Sequence, residues 1–440
     1  MGKGLLWVLL YGAALLIPTV LLMVFFPGSD DGVLVETGKN FALFAFTILV
    51  LQVVLAARFK WLDRIYGLDM MIRFHRYMAV FAMVLLICHP ILIAAGESKW
   101  SLVTSLNLPW YVLLGKAALL LVLANVLLSL LQLRIGLKFE NWRRLHGVMG
   151  PLLLAAAFTH SYVIEDQLRS GPLKVIWPLM LAGALALFLY HRFAAPSIRK
   201  GRAYGVAEVT EEATDTWTVK LTPPKSGKIE DYLPGQFHFL TFYRDSSLPV
   251  EEHHWTISSS PTQKEFLSST IKASGDFTAT IGSTKPGDTA AVQGPFGRFS
   301  YALHPEEKAF VFIAGGIGIT PLMSMLRHMR DVGSTAPVVL LYANRDEDHI
   351  AFNKELSEME SSGKPPLNVV HVLSRPEKDW RGETGHIDAS MIKRFRGDDP
   401  AATGFYICGP KGLRRVALNT LKALDVPESR IHTEVFSFLT

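Results

Sequence analysis

Six apolar runs long enough to cross a bilayer fill the first part of the chain, at about 5–26, 39–57, 75–96, 110–132, 146–164 and 173–192. A hydrocarbon core takes roughly 20 helical residues, so each run predicts one spanning helix. The first run is long and no small-residue cleavage pattern follows it, so it reads as an anchor and not as a secretory leader. Beyond about residue 200 the period changes. Residues from about 203 to 300 alternate apolar and polar positions in short stretches between turn residues, which predicts a small antiparallel barrel. From about 307 onward the stretches "AFVFIA", "PVVLLYAN", "NVVHVLS" and "FYIC" are separated by helical patterns, which predicts a doubly wound parallel sheet. The expected fold is multidomain: a transmembrane six-helix bundle over 1–200, an antiparallel β-barrel domain over 201–305 and an α/β doubly wound nucleotide-binding domain over 306–440.

Basic residues sort to alternate loops. Arg58, Lys60, Arg64, Arg73 and Arg76 lie around the junction of the second and third runs. Arg134, Lys138, Arg143 and Arg144 lie between the fourth and fifth, and Arg192, Arg199, Lys200 and Arg202 follow the sixth. The opposite loops hold Lys39, Lys99, Arg169 and Lys174 together with Asp30, Asp31, Glu36 and Glu165. The positive-inside rule then places both termini and the soluble half in the cytoplasm, with the bundle in a lipid bilayer. The net charge of +5 belongs mainly to these flanks and gives no signal of nucleic-acid binding. Two cysteines, Cys88 and Cys408, are too few for a disulfide framework or a cysteine-held cluster.

The spans also carry ligand chemistry. His75 and His89 sit in the third run, His146 and His160 in the fifth, and each pair is 14 residues apart. Fourteen residues are nearly four helical turns, so both members of a pair fall within about 40° of one face and about 21 Å apart along the axis. The two runs cross in the same direction, which sets His75 level with His146 and His89 level with His160. Intramembrane imidazoles are expensive and call for partners. Two levels with two nitrogens each, and no carboxylate or thiolate, suit two stacked b-type haems better than zinc. Two axial imidazoles complete the iron coordination and favour outer-sphere electron transfer. His191, at the end of the sixth run, lies outside this spacing and reads as interfacial. Lys116 sits about six residues inside the fourth run. It either snorkels to the outer headgroups or faces the bundle and pairs with a propionate of the outer haem or an anionic acceptor.

In the soluble half, "PGQFHFLTF", "HHWTISSSP", "IKASGDFT" and "GPFG" follow one another with small hydroxyl residues and glycines, which let backbone amides approach a flavin ring or a diphosphate. "AFVFIAGGIGITPLMSMLRHMR" is an apolar strand, a glycine-rich turn and an amphipathic helix, the geometry of a dinucleotide site. A barrel, then a nucleotide domain, then a C-terminal "EVFSF" resembles the ferredoxin–NADP reductase superfamily. Joined to six spans with paired histidines and to "NWRRLHG" at the start of the fifth span, the whole chain resembles the ferric reductase and NADPH oxidase superfamily, with compact bacterial NADPH oxidase homologues as its nearest likeness.

That resemblance implies FAD, two haem b groups and NADPH as cofactors, with NADH possible, in an enzyme of a bacterial inner membrane. It assigns His253, Trp255 and Thr256 to the family's flavin motif, with His254 where the family has proline, and Ser258 to the same segment. Lys272, Gly275 and Thr278 match the stretch beside the flavin diphosphate. Gly315, Gly316, Gly318, Thr320 and Pro321 match the nicotinamide nucleotide loop. Cys408, Gly409 and Pro410 match the motif beside the nicotinamide ring, and Phe438 the aromatic that covers the flavin. Cys408, Phe438 and Thr256 are the residues expected at the reacting centre. Ser374 and Arg375 in "LSRP" fall where related reductases hold the 2′-phosphate of NADPH.

The implied route is NADPH, FAD, inner haem (His75, His146), outer haem (His89, His160), then an acceptor outside the membrane. The acceptor expected first is dioxygen, giving superoxide. A ferric chelate or a periplasmic redox partner is the alternative, because Ile93 stands four residues beyond His89 where animal-type oxidases carry a polar residue. A haem-binding sensor or a transporter with a regulatory flavodomain is the rival of a different class. No calcium-binding loop is visible, so turnover is expected without an obligatory protein activator.

Overall fold

The computed structural model describes all residues but 1, 28–30, 226, 397–398, 400 and 436–440. It divides into two compact units, Met1–Ala195 and Pro196–Thr440. The first is built from α1 (Gly2–Phe25), α2 (Val33–Ala56), the short α3 (Lys60–Tyr66), α4 (Leu68–Gly96), the single turn α5 (Ser101–Thr104), α6 (Trp110–Leu131), α7 (Phe139–Ile164) and α8 (Leu173–Leu189). A π-helical turn at Tyr190–Ala194 leads into α9 (Ala195–Gly201).

Six helices are long and apolar enough to cross a membrane, and they coincide with the six runs. Three of them begin well before the apolar run that hydropathy marks, α2 at Val33 among them. Helices α4 and α7 start at Leu68 and Phe139, each two turns before the apolar run. Those turns carry Asp69 and Arg73, or Glu140, Arg143 and Arg144, so they are helical without being apolar. Asp69 and Arg73 form an i,i+4 ion pair there. His75 and His146 therefore sit two turns inside their helices and not at the ends.

Helix α2 is the central element. In its spanning window 44% of residues are buried, against 11–17% for the other five. It packs on α4, α8, α7 and α1. Phe46 of α2 and Trp177 of α8 stack at 4.5 Å within a core that includes Ile48, Leu85, Val122 and Leu153. The outer faces of the remaining spans are apolar, with Leu5, Leu120 and Leu179 each more than 60% exposed. Lipid is the environment that such faces fit.

The second unit opens with β1 (Tyr204–Ala213), β2 (Thr216–Thr222), β3 (Phe237–Tyr243), β4 (Glu252–Thr256), β5 (Leu267–Lys272) and β6 (Thr289–Phe296). They form an antiparallel sheet in the order β4-β3-β6-β1-β2-β5. Its two edges are brought together just past β4, where the Ser258 amide donates to the Ser268 carbonyl at 2.8 Å and the Ser269 hydroxyl to the Thr256 carbonyl at 3.0 Å. These bonds occupy groups that an open edge would leave unpaired, and they roll the sheet towards a barrel.

A parallel sheet follows, made of β7 (Ala309–Gly315), β8 (Val338–Asn344), β9 (Leu367–Leu373), β10 (Glu383–Thr384), β11 (Thr403–Cys408) and β12 (Ile431–Glu434), in the order β10-β9-β8-β7-β11-β12. Its helices are α10 (Ile319–Asp331), α11 (Asn353–Ser362), α12 (Ala389–Phe395) and α13 (Lys411–Ala423). Met323, Met325 and Leu326 of α10 fill one face of the sheet, while Ala417 and Leu421 of α13 fill the other. The strand order reverses between β7 and β11, so the crevice at their C-terminal ends is where this architecture takes a ligand.

Candidate functional site

The bundle brings the four histidines together as two facing pairs. The rings of His75 and His146 have centroids 6.1 Å apart, and those of His89 and His160 6.4 Å apart. An iron bonded to an imidazole nitrogen at about 2 Å on each side separates two ring centroids by roughly 6.3 Å. Both gaps therefore have the width of a bis-imidazole iron.

The tautomers agree with that use. His89 Nδ1 lies 2.8 Å from the Gly38 carbonyl and His160 Nδ1 2.7 Å from the Tyr111 carbonyl. A carbonyl can only accept, so each Nδ1 carries the proton and each Nε2 keeps the lone pair that a metal needs. The other pair is held more loosely. His146 Nδ1 is 3.4 Å from the Ser129 hydroxyl, which donates to the Asn125 carbonyl at 2.7 Å and accepts from Trp142 Nε1 at 3.1 Å. His75 Nδ1 makes no hydrogen bond of ordinary geometry among the described residues, and the Gln52 backbone lies beside it.

Sequence reasoning missed this supporting set. Gly38 and Gln52 are also 14 residues apart, on the helix that packs against α4. Gly115 is a second omission. A Cβ there would lie 2.4 Å from His160 Cε1, so only glycine admits the ring.

Lys116 turns its ammonium toward the loop between α4 and α6. Its ammonium donates to the carbonyls of Val103 at 3.0 Å and Ser105 at 2.6 Å, tying α6 to the loop around α5. Lys116→Met keeps the stem and removes both bonds. Hydrogen bonds from a charged group are worth about 1.5–3 kcal/mol, so the variant should melt at a lower temperature with its histidine pairs intact. A changed haem potential without a change in melting temperature would instead put the ammonium at the haem edge.

In the barrel, strand alternation points His253 and Trp255 to one face and His254 to the other. His253 bonds Glu251 at 2.9 Å and stacks on Phe277 at 4.4 Å, and Trp255 lies parallel to Phe277 at 6.0 Å. Arg244 backs this aromatic group, its guanidinium 5.0 Å from the Phe277 ring. Thr256 ends the strand, and its hydroxyl has no hydrogen-bond partner among the described residues, so it remains available to a ligand. Ser258 is buried, with its hydroxyl on those of Ser268 at 3.0 Å and Thr270 at 3.1 Å, so its side chain is already engaged within the barrel. The Thr278 hydroxyl accepts from the amides of Ser274 and Gly275, both at 2.9 Å, and shapes the loop that follows Lys272.

His238 in β3 is fully buried, and burial holds its pKa down at about 3. It therefore stays neutral. Its Nε2 lies 2.7 Å from the Ser269 hydroxyl, which in turn bonds the Thr256 carbonyl, so His238 braces the end of β4.

The nucleotide loop and the cysteine motif meet at the switch point. Gly316 has a φ of +52° in the turn between β7 and α10. A Cβ on Gly318 would stand 2.2 Å from the Cys408 carbonyl, and one on Gly315 2.7 Å from Pro410 Cδ. Gly409 faces Gly315 in the same way, at 3.0 Å from its nitrogen. The two loops can touch only because these positions lack side chains. Thr320 and Pro321 are buried in the first turn of α10, with the Thr320 hydroxyl on the Ile317 carbonyl at 3.1 Å. Cys408 is fully buried, and burial, with Glu434 nearby, raises its thiol well above the ordinary value. Phe438 lies outside the described residues.

Arg345 and Arg375 lie in the loops that follow β8 and β9, on the C-terminal edge of the sheet. Ser374 and Arg375 follow β9, and the Arg375 amide donates to the Arg345 carbonyl at 2.7 Å in the loop after β8. Arg345 itself was not foreseen. The barrel and the parallel sheet are joined by α10. Ser324 donates to the Ser259 carbonyl at 2.8 Å, and Arg327 reaches both the Ser258 carbonyl at 2.7 Å and Glu355 at 2.6 Å. Burial alone would raise Glu355, but Arg327 and Arg330 bring it below the usual carboxylate value.

Fold and site thus define an integral membrane protein in which a six-helix bundle with facing histidine pairs is joined to a flavin- and nicotinamide-type module. Residues 41–157 match the ferric reductase like transmembrane component, 203–288 an FAD-binding domain and 312–418 the oxidoreductase NAD-binding domain. In this order they are the architecture of the ferric reductase/NADPH oxidase superfamily, to which the chain belongs. Among curated proteins it is 33% identical over 241 residues to the ferredoxin reductase component of 3-ketosteroid-9-alpha-monooxygenase from Mycolicibacterium smegmatis, covering 53% of this chain and 65% of that protein. It is 33% identical over 159 residues to mouse NADH-cytochrome b5 reductase 2, covering 32% and 58%. The chain thus spans less than two thirds of either relative. The cytochrome b5 reductase domain of Ulva prolifera nitrate reductase superposes with a TM-score of 0.47 and 21% identity, over 53% of this chain and 97% of that domain.

Proposed function

We propose that the protein is a transmembrane oxidoreductase that takes electrons from cytosolic NADPH and delivers them, through FAD and two b-type haems, to dioxygen on the outer side of a bacterial inner membrane. The observation that carries the reading is the pair of 6.1 and 6.4 Å imidazole gaps, with Nδ1 of His89 and His160 locked on carbonyls. When bound, flavin accepts a hydride and releases electrons singly, and haem iron carries them one at a time.

The chain's own residues do the positioning. His75 with His146 and His89 with His160 would hold the irons at two depths. Thr256 offers its hydroxyl to the flavin, with Trp255 and Phe277 as the aromatic flank. The glycines at the β7–β11 crevice admit the nicotinamide and diphosphate. Arg375 and Arg345 would fork the 2′-phosphate, a task suited to planar guanidinium groups.

A ferric chelate is the second reading, and one feature favours it. Ile93 packs 3.1 Å from the Cβ position of Gly38, beside the carbonyl that holds His89, so that neighbourhood is apolar. The experiment that decides is to supply NADPH to the purified protein loaded with FAD and haem. Superoxide dismutase-sensitive cytochrome c reduction supports dioxygen. Ferric-chelate reduction under nitrogen, with no superoxide in air, supports the second reading. Absence of NADPH consumption with either acceptor would overturn both.

Nucleotide choice gives a further expectation. Arg375→Ala and Arg345→Ala should each raise the KM for NADPH by about tenfold or more and leave that for NADH nearly unchanged, since loss of one charge-assisted hydrogen bond corresponds to roughly 1.5–3 kcal/mol. Steady-state KM values for both nucleotides check this, and equal shifts would remove the 2′-phosphate role.

A further inference from the structure

His304, Glu307 and His432 lie at the end of the parallel sheet opposite the nucleotide crevice, and no part of the redox route uses them. His304 and Glu307 belong to the segment that enters β7, while His432 is on β12. Their ligand atoms all fall within 4.8 Å of one another. We propose that these three side chains form a zinc-type transition-metal site that fastens the last strand of the nucleotide domain to the segment preceding its first.

The donor set is two imidazoles and one carboxylate, with room for a fourth ligand. The His304 and His432 rings are 4.0 Å apart and 34° from parallel, and each has a nitrogen within 4.8 Å of the Glu307 carboxylate. Glu307 has a fully buried side chain. Its two oxygens are divided between two tasks. Oε2 accepts from the Tyr406 hydroxyl at 2.7 Å, and Oε1 faces His432 Nε2 at 2.7 Å. A tyrosine that fixes the unused oxygen of a ligating carboxylate is the support that metal sites require.

The space around it is also specific. A Cβ on Gly404 would stand 2.2 Å from Glu307 Oε2, so the carboxylate is seated against a position without a side chain. Glu306 lies 3.8 Å from His304 Nδ1 and can supply the fourth oxygen, or water can.

One group opposes the metal. Arg430 is 3.1 Å from Glu306 and 3.9 Å from Glu307, and it supplies positive charge of its own. Entry of a dication moves this guanidinium outward and widens the 2.7 Å His432–Glu307 contact to the roughly 3.3 Å separation of ligands around a tetrahedral ion. The arginine therefore makes a sharp test.

The full chain, loaded with haem and FAD and stripped of metal by a chelator, is titrated with zinc chloride alone, and bound zinc is measured after desalting. The unaltered protein should retain roughly one zinc per chain more than His304→Ala or the His304→Ala/His432→Ala double variant. Tyr406→Phe should weaken zinc binding by about 10–100-fold. Arg430→Gln should tighten it, and zinc should raise the melting temperature of the unaltered protein but not of His304→Ala. His304 is the more exposed of the two imidazoles, so its single variant keeps the test open if the double variant misfolds. Equal zinc content in the unaltered and His304→Ala proteins overturns the site. So does an Arg430→Gln protein that melts lower without binding zinc more tightly, because the cluster is then an ion-pair network only.

Discussion

The His75→Ala protein should purify with about half the haem of the unaltered chain, and His146→Ala should behave identically. Each substitution removes one of the two imidazoles that face each other at a single level. The His89–His160 pair is untouched, because its rings are held independently by the carbonyls of Gly38 and Tyr111. Flavin should still bleach on addition of NADPH, since the module that binds both lies in the other compact unit. Reduction of the outer acceptor should fall to background, because the chain of carriers is broken between flavin and the remaining haem. Pyridine haemochrome assay, anaerobic flavin bleaching and acceptor reduction measure the three quantities separately. Retention of two low-spin haems in either variant would sink the ligand assignment.

The histidine pairs were legible because helical periodicity converts a 14-residue interval into a shared face, and the apolar runs fixed which helices cross in the same direction. The glycine loop and the Cys408 motif were legible for a related reason. Close backbone approach demands glycine, and the residues flanking the switch point carry it at Gly315, Gly318 and Gly409. What periodicity could not give was the set of carbonyls that fix the imidazoles. Gly38 and Tyr111 act through backbone oxygens, so their side chains advertise nothing. Arg345 escaped notice because its relation to Arg375 exists only through the pairing of β8 with β9. The early starts of α4 and α7 were hidden by their charged first turns, which hydropathy scores as loop. The buried His238 read as one more residue of a strand. Its role depends on Ser269, 31 positions away, which bridges it to Thr256.

Gly115→Ala should eliminate the haem at the His89–His160 level while leaving the one at His75–His146 in place. Propensity argues for the opposite outcome. Alanine is favoured over glycine inside a helix by about 1 kcal/mol, so the substitution alone would strengthen α6. Sterics decide instead. The added methyl would lie 2.4 Å from Cε1, 2.5 Å from Nδ1 and 2.8 Å from Cγ of His160, so it strikes the ring itself. The ring cannot swing away freely, because its Nδ1 is bonded at 2.7 Å to the carbonyl of Tyr111, one turn before Gly115 on α6. Moving the imidazole breaks that bond, releases the tautomer and turns Nε2 out of line with His89. Gly147→Ala is the control. Gly147 adjoins His146 in sequence, yet a Cβ there meets no side chain of a neighbouring helix within 4 Å, so both histidine pairs should keep their places. In a spectroelectrochemical titration Gly115→Ala should show one haem wave and Gly147→Ala two, with helical content unchanged in both. Two waves from Gly115→Ala would mean that α6 and α7 separate enough to accept the methyl, and that the close approach of Gly115 to His160 does not govern ligation.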